Sequence, residues 1–575
     1  MRPLVAIAPI LVLGIGCSDP SAAPPPARPP IRADAGTIGP HHLFPTGGSD
    51  AVLATGAPDR GPEVPLTYAV PSRGSLVWTK HAYCEVDENL PICGDGPLVG
   101  LEHYRVGRAE GRIVVEQLRG TQIDTIWVYE TAATGAPVRR LTLADGRRVA
   151  KLVTFGDRTF TSRLRTGANA LGGCGRIGFS VDPAGRIRER RCLQWNGEPM
   201  RDEDGIAMTR TERDPRGFAV AQLRFGLDGK PATGRDFVHH LIYELDAIGR
   251  ARTVWHRDLK EQPTASADGC FGWAFGRDAK GLPVRETCLG ADQRPIASVR
   301  GVAAVAARFD VRGCQIAERN LGPTDEPVVD DDRVHGTDFV RDAQCRELER
   351  RCIGLDDKPM ACEPGAAARE VTQRDAAGRE VAIRHYRADG KPGRDRRYSV
   401  FELHTRWDDR DRAVTVTCHD RDGSAIDCRN TGFHGARSTY DDAGREIERR
   451  FFDATGASTH NRGTKLRRFG YDSYDHLAES ATGDDAGGEP EFNGASVRRD
   501  LYDAYHRRFA VLMFDRKSTP AMYTSCFAGV TCPDTAWHAV RVTRRADGRV
   551  ETNLFFDVAG QLIRTVQCEQ VACFE

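Results

Sequence analysis

The chain has 575 residues, 40% of them apolar, with 81 Lys and Arg set against 81 Asp and Glu and a mean hydropathy of −0.46. Zero net charge leaves no overall field to draw the protein onto nucleic acid or an anionic membrane, so no nucleic-acid partner is expected. The length admits several domains or one long repeat array, and either buries an ample core.

At the N-terminus Arg2 precedes an apolar run from Leu4 to Leu13, which is too short to cross a bilayer and ends in small residues, as signal peptides do. Gly14-Ile15-Gly16-Cys17 resembles the lipobox of bacterial lipoproteins. The resemblance implies cleavage before Cys17, acylation of that cysteine, and an outer-membrane lipoprotein on the periplasmic side or the cell surface. Cleavage at an ordinary signal-peptidase site is the alternative. Residues 1–17 are thus expected to be the signal peptide and 18–40 a tether, stiffened by Pro24-Pro25-Pro26-Ala27-Arg28-Pro29-Pro30. No later segment is apolar enough to span a bilayer, so membrane contact is expected only through the N-terminal lipid. Setting Cys17 aside leaves sixteen of the 17 cysteines, an even set that reads as disulfides in an exported chain.

Residues 41–165 read as a β region, with Arg112-Ile113-Val114-Val115-Glu116 and Asp124-Thr125-Ile126-Trp127-Val128 as strands. Leu143-Ala144-Asp145-Gly146-Arg147 reads as a degenerate first repeat. Over residues 166–515 one phrase recurs: an Asp, two variable residues, a Gly and often an Arg. The anchors are Asp182, Asp214, Asp246, Asp278, Asp310, Asp342, Asp375, Asp408, Asp441, Asp472 and Asp503, spaced 32 residues apart five times, then 33 three times and 31 twice. Chance does not hold such a register, and the chain is a repeat protein. Asp182 with Gly185, Asp214 with Gly217, Asp246 with Gly249, Asp375 with Gly378 and Asp441 with Gly444 read as structural turns. The Asp bonds its own backbone, and the Gly accepts a positive φ.

A second column, Pro199, Pro231, Pro263, Pro295, Pro327, Pro359 and Pro392, lies 17 residues after the anchors and closes a second turn. Two turns per unit leave room for strands of common length. Val220, Val284, Ile316, Leu348, Val381, Val414 and Ile447, six residues after their anchors, form an apolar ladder. The expected fold is all-β: tandem hairpin repeats of about 32 residues in a continuous antiparallel meander, spiral or solenoid-like, stapled by disulfides. Residues 516–575 read as an insertion and a capping repeat, because Asp557-Val558-Ala559-Gly560 follows Asp503 only after 54 residues.

The cysteines test the register. Cys174 and Cys192 lie 8 before and 10 after Asp182, and Cys270 and Cys288 hold the same offsets around Asp278. Cys352 and Cys362 lie 10 and 20 after Asp342, as Cys418 and Cys428 do after Asp408. Folding about the turns sets these pairs on opposed strands, near enough to bridge. Cys314 and Cys345, 31 apart, link neighbouring units. Cys84–Cys93, Cys526–Cys532 and Cys568–Cys573 pair locally, although spacing alone does not prove connectivity.

Tyr440-Asp441-Asp442-Ala443-Gly444-Arg445, Tyr471-Asp472 and Tyr502-Asp503 resemble the YD-repeat (Rhs-type) family over roughly residues 167–515. The resemblance implies β-hairpin units that wind into a continuous spiral sheet. Most copies lack the tyrosine, and neither a core cleavage segment nor a C-terminal toxin module is recognisable.

Motifs for chemistry are missing: no Gly-x-Ser-x-Gly, no His-Glu-x-x-His, no Walker loop, no dinucleotide fingerprint. No catalytic residue, cofactor or metal is expected. His41-His42 and His239-His240 are poor metal units, because adjacent strand residues point to opposite faces. Turn capping explains the anchor aspartates without calcium, and Asp330-Asp331-Asp332 reads as a solvated loop tip. Arg188-Glu189-Arg190-Arg191 and Glu446-Ile447-Glu448-Arg449-Arg450 read as cross-strand ion pairs on a wet face. Trp195, Trp255, Trp273 and Trp407 follow no column, which favours packing over sugar stacking. The leading expectation is a non-catalytic envelope lipoprotein that presents an extended β surface to a protein or glycan partner. The alternatives are a structural shell or scaffold of an envelope or secretion assembly, and a hydrolase with its site in residues 41–165.

Overall fold

The computed structural model describes residue 65 and residues 76–567, less 82, 87–90, 95–101, 110, 120–121, 135, 145–147, 167–170, 203, 235, 363–366, 395–399, 429–432, 460–464, 472–476, 484–495, 503–507, 516–518, 523–535 and 545–549. Cys17, the tether, His41-His42, Asp145, Asp472, Asp503 and the four cysteines at 526, 532, 568 and 573 lie outside the described residues. Every element is a β-strand; no α-helix occurs among the described residues. Packing divides them into two units, the first reaching Leu466 and the second starting at Arg467. The division falls inside the expected array, not at its end.

Each unit of the array starts with a six-residue strand such as Met208–Arg213, turns at its anchor, and returns along a seven-residue strand, Ala219–Phe225. At the turn the N–H of Asp214 donates to Phe218 O and the N–H of Gly217 to Asp214 O. That geometry requires a left-handed residue at the third place after the anchor, where φ is +78° at Gly185, +103° at Gly217, +94° at Gly249, +84° at Gly378 and +76° at Gly444. Gly444→Val should therefore cost several degrees of melting temperature. Asp442→Ala, at a variable turn position, should cost little, and near-equal shifts would contradict the turn geometry.

Beyond the turn, Arg213 pairs with Ala219 but Glu212 with Ala221, so Val220 is an unpaired extra residue. The same slip recurs at every described anchor hairpin from Asp182 to Asp441. The expected apolar ladder is thus a column of β-bulges, half-buried or, at Ile447, 40% exposed. A bulge bends its strand and adds right-handed twist, and one per unit gives the sheet a regular curvature.

Between one hairpin and the next lie two turns, one more than the sequence suggested. The second, with the N–H of Gly226 to Lys230 O, leads into a one-residue ladder, Phe225 opposite Pro231. The flanking bond comes from Ala232 N–H to Arg224 O, so Pro231 sits where no N–H is needed. The third turn repeats the anchor pattern, with the N–H of Asp202 to Ile206 O and of Gly205 to Asp202 O. Its signals were Asp202-Glu203-Asp204-Gly205 and Ser266-Ala267-Asp268-Gly269. They escaped notice because Phe237 and Arg333 hold the glycine's place elsewhere, at φ of +64° and +67°. The chain then pairs onward, Leu223 with His240, which keeps the sheet a meander.

The first unit also holds strands Glu102–Ala109, Arg112–Arg119, Gln122–Thr131, Pro137–Ala144, Arg148–Phe155 and Thr159–Leu164, each paired with the next. They are joined directly, without second and third turns. Val77–His81 pairs with the first of them, and Ile177 of the array with Phe160 of the last. A separate hairpin, Tyr83–Val86 with Pro91–Gly94, belongs to a core of Cys84, Val86, Tyr104, Val106, Val115 and Tyr129. Val114, Val128, Leu141, Leu143 and Val149 fill a second core.

In the second unit Leu477–Gly483, Val497–Tyr502, Arg508–Phe514, Ala539–Arg544, Val550–Phe556 and Leu562–Gln567 pair in order around Val511, Trp537, Val540 and Phe555. Tyr502 pairs with Arg508 and Arg544 with Val550 in the same pattern, so the turns are 42 residues apart. Asp557 is therefore not an anchor: it makes a turn in the second-turn position, and the chain runs straight into its last described strand.

Candidate functional site

The anchor residues singled out in the sequence line one edge of the sheet, that of the anchor turns. Asp182 Oδ1 accepts the N–H groups of Ala184 and Arg186, at 2.9 Å each, while its Oδ2 accepts Arg186 Nε at 2.7 Å. Asp375, Asp408 and Asp441 repeat the bonds to the arginine four residues on. Both carboxylate oxygens are engaged, which suits turn capping. Partial burial opposes the charge, but the Arg186 backbone and guanidinium outweigh it and hold the Asp182 carboxyl below the usual range.

The third-turn Asp202 accepts the same two kinds of N–H, from Asp204 and Ile206, but no arginine bonds its carboxylate. Burial, aided by the charge of Asp204, raises it to about 6. A raised carboxyl contributes stability below its unfolded value that is lost as pH climbs through about 6. Asp202→Asn keeps the acceptor without the charge. It should raise the melting temperature at pH 8 and leave it nearly unchanged at pH 3, below the unfolded carboxyl's value.

The residue four after the anchor also reaches the next unit. Arg379 Nη1 donates to Asp408 O at 2.7 Å and Arg412 Nη1 to Asp441 O at 3.1 Å. At the same place Phe218, 1% exposed, lies against Gly249, where a Cβ would stand 2.5 Å from the ring. Cys314 takes that place in its unit and bonds Cys345, which holds the glycine's place in the next turn with φ +60°. An ion-dipole contact, an aromatic contact and a disulfide thus do one job, tying turn to turn.

The tyrosine column explains itself similarly. Tyr440 Oη donates to Ala413 O of the preceding unit at 2.8 Å, and Tyr502 to Leu477 O at 3.1 Å. In copies without tyrosine the residue before the anchor makes the same bond: Trp407 to Glu380 O at 2.7 Å, Arg374 to Glu347 O at 2.9 Å, Arg341 to Gln315 O at 3.0 Å. Trp407 therefore belongs to a column after all.

Among the described residues there are six disulfides, Cys84–Cys93, Cys174–Cys192, Cys270–Cys288, Cys314–Cys345, Cys352–Cys362 and Cys418–Cys428, with Cα atoms 4.0–5.5 Å apart. Cys84 and Cys93 are opposed strand positions, but the four bridges expected across the array hairpins do not join such positions. Cys192 faces Ile177 and Cys288 faces Trp273; Cys174 and Cys270 lie three residues earlier, at the close of a third turn. Cys362 and Cys428 open the third turn of their own unit. All four bridges pin a third turn to the middle strand. In other units a hydrogen bond replaces the bridge, as from Asn320 Nδ2 to Val334 O at 2.9 Å, or a ring contact, as of Phe451 with Phe433.

The remaining candidates are counter-charged or bonded. Arg300 from the preceding third turn meets Asp330 at 3.0 Å and Asp331 at 3.1 Å, and Asp330 caps its own turn. The acidic run, whose carboxylates gather within 4.8 Å, is thus a turn-to-turn tie and not a free loop tip. His239 and His240 do not diverge: His239 precedes its strand, and both rings approach Glu261, at 3.9 and 2.7 Å. Of the arginine-rich strands, the first carries an expected cross-strand pair, Glu189 with Arg210 at 2.9 Å, whereas Glu448 pairs with Arg450 of its own strand at 2.6 Å.

One set of bonds is long-range. Strand Thr159–Leu164 runs away from the anchor edge, since Arg158 O bonds Phe179 N–H near the Asp182 turn. At its far end Arg165 Nη2 donates to Asp409 O at 2.6 Å and Nε meets Asp411 at 3.1 Å, while Arg163 Nη2 donates to Asp442 O at 3.3 Å. The partners lie 244 and 279 residues on, in the eighth and ninth anchor turns from Asp182. Within the first unit the sheet curves until its anchor edge meets the opposite edge of an earlier strand.

No protein-family model matches the chain, and no curated protein matches it. Among solved structures it is similar to a chain of the Photorhabdus luminescens Tc holotoxin pore carrying a TccC3 mutation, at 12% identity over 82% of this chain and 27% of that one, with a TM-score of 0.32. It is also similar to chains of the TcdB2-TccC3 structure (10%, 82% and 29%, 0.25) and of TcdB2-TccC3-Cdc42 (10%, 83% and 30%, 0.28). The chain spans less than a third of the length of these chains.

Proposed function

We propose that this protein is a non-catalytic structural shell or scaffold of an envelope or secretion assembly, exported and held to the outer membrane by a lipid on Cys17. The seam of Arg163 and Arg165 with Asp409, Asp411 and Asp442 carries this reading. A ribbon whose opposite edges meet after a winding makes a wall, and the recurring polar side chains serve to tie its units together. A protein or glycan of the envelope would bind the polar face, whose residues vary from unit to unit.

X-ray scattering of the mature protein tests the wall. Arg163→Glu/Arg165→Glu should raise the radius of gyration above that of wild type; equal values would overturn the reading. Labelled palmitate should enter wild type and not Cys17→Ala.

A further inference from the structure

An aromatic ring eleven residues after the anchor recurs along the array, and an arginine four before the anchor often stacks on it. Arg210 lies 5.0 Å from the Phe225 ring, Arg437 5.0 Å from Phe452 and, in the second unit, Arg499 4.7 Å from Phe514. A third ring meets the second edge-on: His239 on Phe225 at 6.0 Å, Phe401 on Tyr386 at 5.3 Å, His538 on Phe514 at 5.5 Å. In the unit anchored at Asp408 all three places are histidine. His404 stacks on His419 at 4.2 Å, and His434 meets His419 edge-on at 5.0 Å. A permanent cation over an inert ring has become three titratable groups in contact.

Their hydrogen bonds define the protonation state. His419 Nδ1 lies 3.2 Å from Gly423 O and so carries a hydrogen, which leaves Nε2 to accept from Thr417 Oγ1 at 2.9 Å. In the neutral ring both nitrogens are satisfied, with the Thr417 hydroxyl as the donor to Nε2. His434 Nδ1 donates to Ile426 O at 3.1 Å, with Phe452 behind it. His404 Nε2 faces Glu402 at 2.9 Å, and Arg384 on the neighbouring strand also binds Glu402, at 2.9 Å. The turn beside His419 carries Asp420, Arg421 and Asp422, whose carboxylates cap their own turn at Arg421 and Ser424.

We infer that the hairpin anchored at Asp408 is an acid-sensitive joint in the array, held by neutral His419 between His404 and His434 and loosened when His419 is protonated. A proton on Nε2 turns the Thr417 hydroxyl from donor to acceptor and sets a cation against the stacked ring of His404 and the ring of His434. Burial first, then the charges of His404 and His434, hold His419 below the ordinary histidine value. A histidine so depressed contributes stability that is present above its unfolded value, about 6.5, and is lost as pH falls below it.

Hydrogen exchange of the full chain at pH 7.5 and 5.5, corrected for intrinsic rates, tests the joint. Amides of Glu402–Trp407 and Ala413–His419 should lose about tenfold in protection at pH 5.5, while Arg176–Val181 and Ile187–Leu193 hold theirs. His404→Arg/His419→Phe, which copies the pair of Arg437 and Phe452 in the following unit, should abolish the loss, as should His419→Gln if the double variant does not fold. An equal loss in His419→Gln, or none in wild type, overturns the inference.

Discussion

Gly249→Val is expected to destabilise the protein by about 3–5 kcal/mol, read as a lowered urea midpoint. Two effects coincide there. The backbone sits at φ +94°, where a β-branched residue is a severe outlier, and the new Cβ would overlap the Phe218 ring at 2.5 Å. Gly185→Val is the control: φ is +78°, but nothing lies within 4 Å of its Cβ, so only the backbone cost, about 1–2 kcal/mol, remains. Adding Phe218→Ala to Gly249→Val should remove the clash and give a strongly non-additive cycle. Equal losses for the two glycines would show that Phe218 does not tie its turn to the next.

Replacing Cys314 and Cys345 separates constraint from contact. The bridge closes a loop of 31 residues, so Cys314→Ala/Cys345→Ala should cost about 3–4 kcal/mol, mainly by freeing the unfolded chain. Cys314→Arg/Cys345→Gly should recover at least half of that. The glycine relieves a left-handed residue at φ +60°, and the arginine restores the contact that Arg379 and Arg412 make with their following turns. If the two variants lose the same amount, the disulfide is not a substitute for the arginine tie.

The sequence showed the repeat, the meander and the six described disulfide partnerships because each rests on offsets along the chain. It showed the anchor turns because Asp and Gly report turn chemistry directly. What escaped has physical reasons. The third turn is hidden where Phe237 and Arg333 accept a conformation usually left to glycine. The bulges at Val220 and its equivalents leave no compositional trace, since an apolar residue fits both a paired and a bulged place. Tyrosine, tryptophan and arginine look unrelated in a column until each is seen to donate to the same carbonyl. The histidine stack joins residues from three separate segments, and the seam joins residues 244 apart, which no local pattern records.

That seam has a bearing on how the protein can change length. Arg165 meets the turn at Asp408 and Arg163 the turn at Asp441, so the array carries a phase: the count of units between the two edges decides which turn arrives at which arginine. Every unit begins and ends in the same register, so duplicating or excising one would leave the local pairing intact. It would still shift the phase by a whole step. Arg165 gains its side-chain partner from Asp411, which stands where most turns carry glycine, and a shifted array would offer Gly378 or Gly444 there. Drift in repeat number is thus silent within the ribbon and felt only where one winding closes on another.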